Sequence, residues 1–136
     1  KENNKNKIFR YWQSCDFKKG SFFKGWSPPH PSFFVKKEVY TNFGYYIRKF
    51  GNSADIELMY RFLEKKEISS KYINSIFVAM RYGGASNKSF LAIIKQNINT
   101  INILKIQKNP IKICIFIIYK FFNRLNQIFK RPMKKR

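Results

Sequence analysis

Residues 52–63 read Asn-Ser-Ala-Asp-Ile-Glu-Leu-Met-Tyr-Arg-Phe-Leu, a pattern that leaves this part of the chain few options. Ile56, Met59, Tyr60 and Leu63 recur at i, i+3, i+4 and i+7, the spacing of one apolar helix face. Ser53 stands where an N-cap belongs and is expected to close the first turn. Asp55 then falls in that turn, where the positive end of the helix dipole stabilises a negative charge. A carboxylate fixed there is suited to take a proton from a bound hydroxyl, which makes Asp55 a candidate general base. The plainer alternative is an acid that only offsets the dipole, since first turns are commonly acidic.

Two further blocks flank this helix. Gly25 to Tyr40 reads Gly-Trp-Ser-Pro-Pro-His-Pro-Ser-Phe-Phe-Val-Lys-Lys-Glu-Val-Tyr, and Met80 to Ser89 reads Met-Arg-Tyr-Gly-Gly-Ala-Ser-Asn-Lys-Ser. In this order and spacing the three blocks resemble the acceptor-side half of bacterial family 2 glycosyltransferases, the members that build cell-surface polysaccharides. The family form is a Trp-x-Pro-Pro-His-Pro-Thr-Phe-Phe-Val segment, an Ala-Asp-Tyr-Glu-Leu-Met-x-Arg-Phe-Leu helix and a Met-Arg-x-Gly-Gly-x-Ser-Asn-Lys-Ser turn. The resemblance runs from about Tyr11 to Asn99 and, more loosely, to the end of the chain.

The resemblance implies an α/β fold: the C-terminal portion of a GT-A glycosyltransferase fold, followed by a basic amphipathic helix. Residues 1–104 would be the acceptor-side half of that domain and 105–136 the C-terminal helix. The family reaction is inverting transfer of a sugar from a nucleotide-sugar donor to a glycan or lipid-linked acceptor. Asp55 matches the family's helix-start acid and takes the base role by that match. Glu57, two residues on, points about 200° away around a helix, so both acids cannot address one hydroxyl. Glu57 is expected to pair with a basic residue instead.

His30, stiffened by its flanking prolines, is expected to line the acceptor pocket or to hydrogen-bond the base region; a structural histidine in a tight turn is the alternative. Arg81, Gly83, Gly84 and Ser86 offer a guanidinium, a turn and a capped helix start, groups suited to a phosphate or to sugar hydroxyls. Without the family, Gly83-Gly84 reads simply as a turn. Trp26, Phe33 and Phe34 are candidate stacking platforms for sugar rings, although neighbours on a strand face opposite sides and at least one of the two Phe belongs to the core.

Two departures from the family pattern matter. Where relatives carry Gly-Leu-Phe-Asp ahead of the base helix, this chain has Gly44-Tyr45-Tyr46-Ile47. The family's divalent metal, Mg or Mn, is held by an Asp-x-Asp motif, and this sequence contains none. No nucleotide-binding βαβ unit precedes Tyr11 either. The expectation is a fragment, inactive in isolation, with no metal ligand of its own.

Elsewhere the pattern predicts a short buried strand over Ser32 to Val35, a short helix over Lys36 to Asn42 and a loop from Gly44 to Gly51. Lys71 to Met80 is a strand-length apolar run, broken by Gly83-Gly84. Ser86 is expected to cap a helix bearing Phe90, Ile94, Ile98 and Ile101 on one face. From Pro110 the residues Ile111, Ile115, Ile118, Phe122, Leu125 and Phe129 form a stripe accompanied by Lys112, Lys120, Arg124, Lys130 and Arg131. Its longest apolar run, Ile113 to Tyr119, falls far short of the roughly 20 residues that cross a bilayer. The helix is expected either to lie in a membrane interface or to pack its stripe on the domain.

Charge sharpens the choice of partners. All seven acids lie at or before Glu67, so the second half of the chain is purely cationic within a net charge of +21. Such a surface seeks phosphates, whether of an anionic membrane, a lipid-linked sugar or a nucleic acid. Lys, Asn, Ile and Phe, the residues of adenine- and thymine-rich codons, dominate the composition, so part of this charge reflects codon usage. No nucleic-acid-binding motif accompanies it, and no specific nucleic acid is expected. Cys15 and Cys114 form neither a disulfide framework nor a zinc pattern, which fits a reducing setting: cytoplasmic, peripheral to the inner face of the cell membrane. The competing readings are a basic nucleic-acid-binding module and a non-catalytic membrane-surface partner.

Overall fold

The computed structural model describes residues 11–80 and 90–129. Four α-helices order the chain: α1 (Lys37–Phe43), α2 (Ala54–Tyr60), α3 (Phe90–Leu104) and α4 (Pro110–Phe129). Three short 3-10 turns, Ser21–Lys24, His30–Ser32 and Arg48–Ser53, punctuate the N-terminal half. With the π-helical turn Arg61–Lys65, helical elements hold 61% of the described residues, and none of the described residues forms a strand. The α/β expectation, a GT-A portion with a sheet, is therefore overturned: the described part is an all-helical fold.

Both expected strands fail for the same physical reason, the lack of a backbone partner. Ser32 ends a 3-10 turn that already contains Pro31, and Phe33 to Val35 continue as extended chain with no ladder beside them. The Lys71–Met80 run is likewise unpaired, its Tyr72 amide donating at 3.0 Å to the Asp16 side chain rather than to a neighbouring carbonyl. Ile73, Ile76, Phe77, Val78 and Met80 all stay exposed. An apolar run is material for a strand but does not make one.

The core gathers around α2. Leu58, Met59, Tyr60, Phe62 and Leu63 are buried consecutively or nearly so, because the helix is covered on most of its circumference. Phe22 meets Tyr60 edge-on at 5.5 Å between ring centres, Tyr40 meets Phe62 at 5.5 Å, and Ile103, Leu104, Ile106 and Phe116 close the cluster from α3 and α4. After Tyr60 the helix widens into one π-helical turn, Arg61–Lys65, where the Lys66 amide reaches back to the Arg61 carbonyl at 2.9 Å.

Helices α3 and α4 meet this core only in part. α3 docks through its last turn, burying Thr100, Ile103 and Leu104, and leaves Ile94 and Ile98 of the expected face exposed. It closes on Lys105 in the left-handed region (φ 56°), with the Ile106 amide bonded to the Ile101 carbonyl at 3.3 Å. α4 opens with Pro110 in the first helical position and Asn109 as cap, its side-chain oxygen accepting the Lys112 amide at 3.0 Å. The row facing the domain is Ile113, Phe116 and Lys120, not the anticipated stripe. Ile111 is 72% exposed and Phe122 57%. Backbone approach fixes this orientation: a Cβ on Gly25 (φ +64°) would lie 2.8 to 2.9 Å from Lys120 atoms, so only glycine lets α4 sit here.

Candidate functional site

The His30–Ser32 turn packs against the start of α2 and brings one functional pair together. His30 Nδ1 lies 3.3 Å from Asp55 Oδ2, while Asp55 Oδ1 accepts the Ile56 amide at 2.8 Å. Pro29 and Pro31 hold the imidazole backbone, and the helix start holds the carboxylate. The Asp55 side chain is 22% exposed and that of His30 54%, so the histidine is the outer member. Ser53 does not cap: its hydroxyl is buried without a hydrogen-bond partner, and the Asp55 carboxylate serves the free amide of the first turn instead.

Glu57 sits on the far side of α2 and binds Arg61 through both oxygens, at 3.0 Å to Nε and 3.1 Å to Nη2. The other guanidinium hydrogens go to the carbonyls of Phe43, Gly44 and Tyr45. This clamp neutralises a buried acid and ends α1 on a fixed loop. Gly44, at φ +84°, lets the loop come this close, with Arg61 Nη1 3.3 Å from where a Cβ would stand. Glu57 is thereby occupied, and Asp55 is the acid left facing outward.

The clamped loop carries Tyr45, stacked on Tyr40 at 5.7 Å, and Tyr46. The Tyr46 hydroxyl is pushed above the usual phenol value, first by burial, then by Tyr40 and then by the negative charge of Asp55. Tyr46 therefore lies within electrostatic reach of the His30–Asp55 pair. The sequence marked only the next residue, Ile47, as the place of an expected acid. The signal for Tyr46, a Tyr-Tyr step between Gly44 and the base helix, was visible but pointed to nothing until the clamp placed it.

Arg81, Gly83, Gly84 and Ser86 lie outside the described residues. Of the stacking candidates, Trp26 meets Phe22 edge-on at 5.7 Å and Phe33 packs partly on the core. Phe34 is 76% exposed and meets Phe77 at 5.8 Å. Among the described residues no group of three or more His, Cys, Asp and Glu is placed to hold a metal ion.

His30 and Asp55 set an imidazole beside a carboxylate at 3.3 Å, a pairing able to take a proton from a hydroxyl that docks on its outer side. No helix of the described residues is long and apolar enough to cross a membrane. Compared with known proteins, the chain matches no family model, no curated protein and no solved structure.

Proposed function

We propose that this chain is the acceptor-side part of a glycosyltransferase, in which Asp55 takes the acceptor hydroxyl proton as sugar leaves a nucleotide diphosphate. The observation that carries this reading is the contact between His30 and Asp55, 25 residues apart in sequence, at 3.3 Å. Two of the three family-like blocks thus meet at the atoms that the reaction needs. Tyr46, within electrostatic reach of Asp55, adds an aromatic face of the kind that sugars stack on. A nucleotide-sugar donor and a glycan or lipid-linked acceptor are the implied substrates.

The exposure of His30 favours a second assignment within the same reaction. With Nδ1 turned to Asp55, Nε2 is the nitrogen that would meet the hydroxyl, and Asp55 would orient it. Joining the chain to a nucleotide-binding half that carries Asp-x-Asp tests the reading and separates the two. Transfer is expected from the joined enzyme and not from these 136 residues alone, which contain no such motif. His30→Gln keeps a donor for Asp55 and is expected to cost less than about tenfold if Asp55 is the base. A loss as large as that of Asp55→Asn would move the base to His30, and absence of transfer in any joined form would end the glycosyltransferase reading.

A peripheral position on the inner face of the membrane is part of the same proposal. The outward stripe of α4, with Lys112 and Arg124 on the same helix and no acid, has the make-up of an interfacial helix. Anionic vesicles should bind the chain better than neutral ones, each basic residue near the surface adding about 1 kcal/mol, screened by salt. Equal partitioning to both at low salt would remove this part of the proposal.

A further inference from the structure

Helix α4 is turned inside out. Its row towards the domain, Ile113, Phe116, Lys120, Asn123 and Gln127, is mostly polar: Asn123 Nδ2 donates to the Lys24 carbonyl at 3.5 Å, and the Gln127 side-chain oxygen is buried. The outer side is the reverse. At about 100° per residue, every Lys, Arg, Asn and Gln of α4 falls outside an arc of about 160° that runs from Ile117 round to Ile115. Ile118, Phe121 and Phe122 lie within that arc and are exposed. A helix that only packs on a domain turns its apolar side in and its polar side out. A continuous apolar face of this length marks a surface that meets something other than water.

We infer that this face seats α4 flat in the surface of a lipid bilayer, with Ile118, Phe121 and Phe122 in the acyl layer and the domain on the water side. The inference rests on the peripheral membrane position proposed above, and adds which side chains enter the lipid and how the helix lies. Cations flank the face on opposite sides: Arg124 stands about 20° beyond Ile117, and Lys112 about 60° beyond Ile115, both exposed. Their long stems can follow the acyl boundary while the charges reach the phosphates. A second copy laid on the same face would bring its own Arg124 and Lys112 alongside. No acid on either helix would offset them, and each chain carries a net charge of +21. The backbone also favours lipid here, because a helix meets its own amides and carbonyls. The other apolar patch, Phe34 with Phe77, lies on extended chain without a ladder and is not suited to an acyl layer. The polar row of α4 makes it lie in the interface rather than cross.

Cys114 reports on the face directly, being exposed and two residues, or about 200°, from Phe116. In the full chain with Cys15→Ser, an environment-sensitive fluorophore on Cys114 is followed with vesicles of phosphatidylcholine and phosphatidylglycerol. The vesicles carry nitroxides on either the acyl chains or the headgroups. A saturable blue shift is expected, with stronger quenching from the acyl chains. In the unlabelled chain Ile118→Glu should weaken vesicle binding by about tenfold or more, while circular dichroism stays unchanged because Ile118 is exposed. Quenching mainly from the headgroups, or equal binding by Ile118→Glu, overturns the seating and leaves a purely electrostatic attachment standing. Absence of vesicle binding overturns both, and self-association removed by Ile118→Glu would then give the face to a second copy.

Discussion

Helices α2 and α4 invert the usual relation between length and burial. α2 has seven residues, four of them buried, and its one buried charge is tied to Arg61. α4 has 20 residues and buries Phe116 alone. The short helix is the hub because aromatic residues from two earlier segments, Phe22 and Tyr40, close over it and the π-helical turn that continues it. The long helix touches the core by one row and offers the rest outward. Periodicity tells which residues share a face; it does not tell which face has a neighbour.

The comparison is most easily broken by matched truncations. Phe62→Ala, in the turn that continues α2, should destabilise by about 3–5 kcal/mol, because Phe62 is fully buried between Tyr40 and Phe43. Phe122→Ala on α4 should change stability by no more than about 0.5 kcal/mol. Similar losses in urea unfolding would mean that the α4 stripe is covered after all.

This contrast also marks what could be read from the sequence. The α1, α2 and α4 helices were legible, since Pro110 and the apolar spacings are local signals, although the expected Ser53 cap does not form. The helical span before Leu104 was legible too, but its inward side was not: Thr100 and Ile103 face the core where Ile94 and Ile98 were expected to. The strands expected at Ser32–Val35 and Lys71–Met80 failed because a strand depends on a partner that its own residues do not specify. Of the site, Asp55 was legible from its helix position and His30 from its prolines. The Arg61 clamp, and through it Tyr46, was not, because three carbonyls converging on one guanidinium is a tertiary fact.

Lys120 sharpens the comparison at the seam where α4 meets the domain. Its amine is lowered to about 8 in the folded chain from an ordinary 10.5, so folding penalises the charged form. The unfolded chain holds the extra proton between those values, and stability from this group rises as pH climbs from about 8 to 10.5. Lys120→Met, which keeps the aliphatic stem on Phe116, should therefore stabilise at pH 7 by up to about 3 kcal/mol. Above pH 10.5 the gain should vanish. A gain independent of pH would mean that the amine is well solvated and that α4 rests on the domain more loosely than described.

The central claim, that Asp55 and not Glu57 does the chemistry while Glu57 holds the loop, is tested most directly by sugar transfer in the enzyme joined to a nucleotide-binding half. Asp55→Asn keeps the shape and removes the basicity, and the rate should fall by roughly 10²-fold or more. Glu57→Gln retains one acceptor oxygen for Arg61 on the far side of the helix and should cost much less. A joined enzyme that tolerates Asp55→Asn but loses transfer with Glu57→Gln would contradict the account.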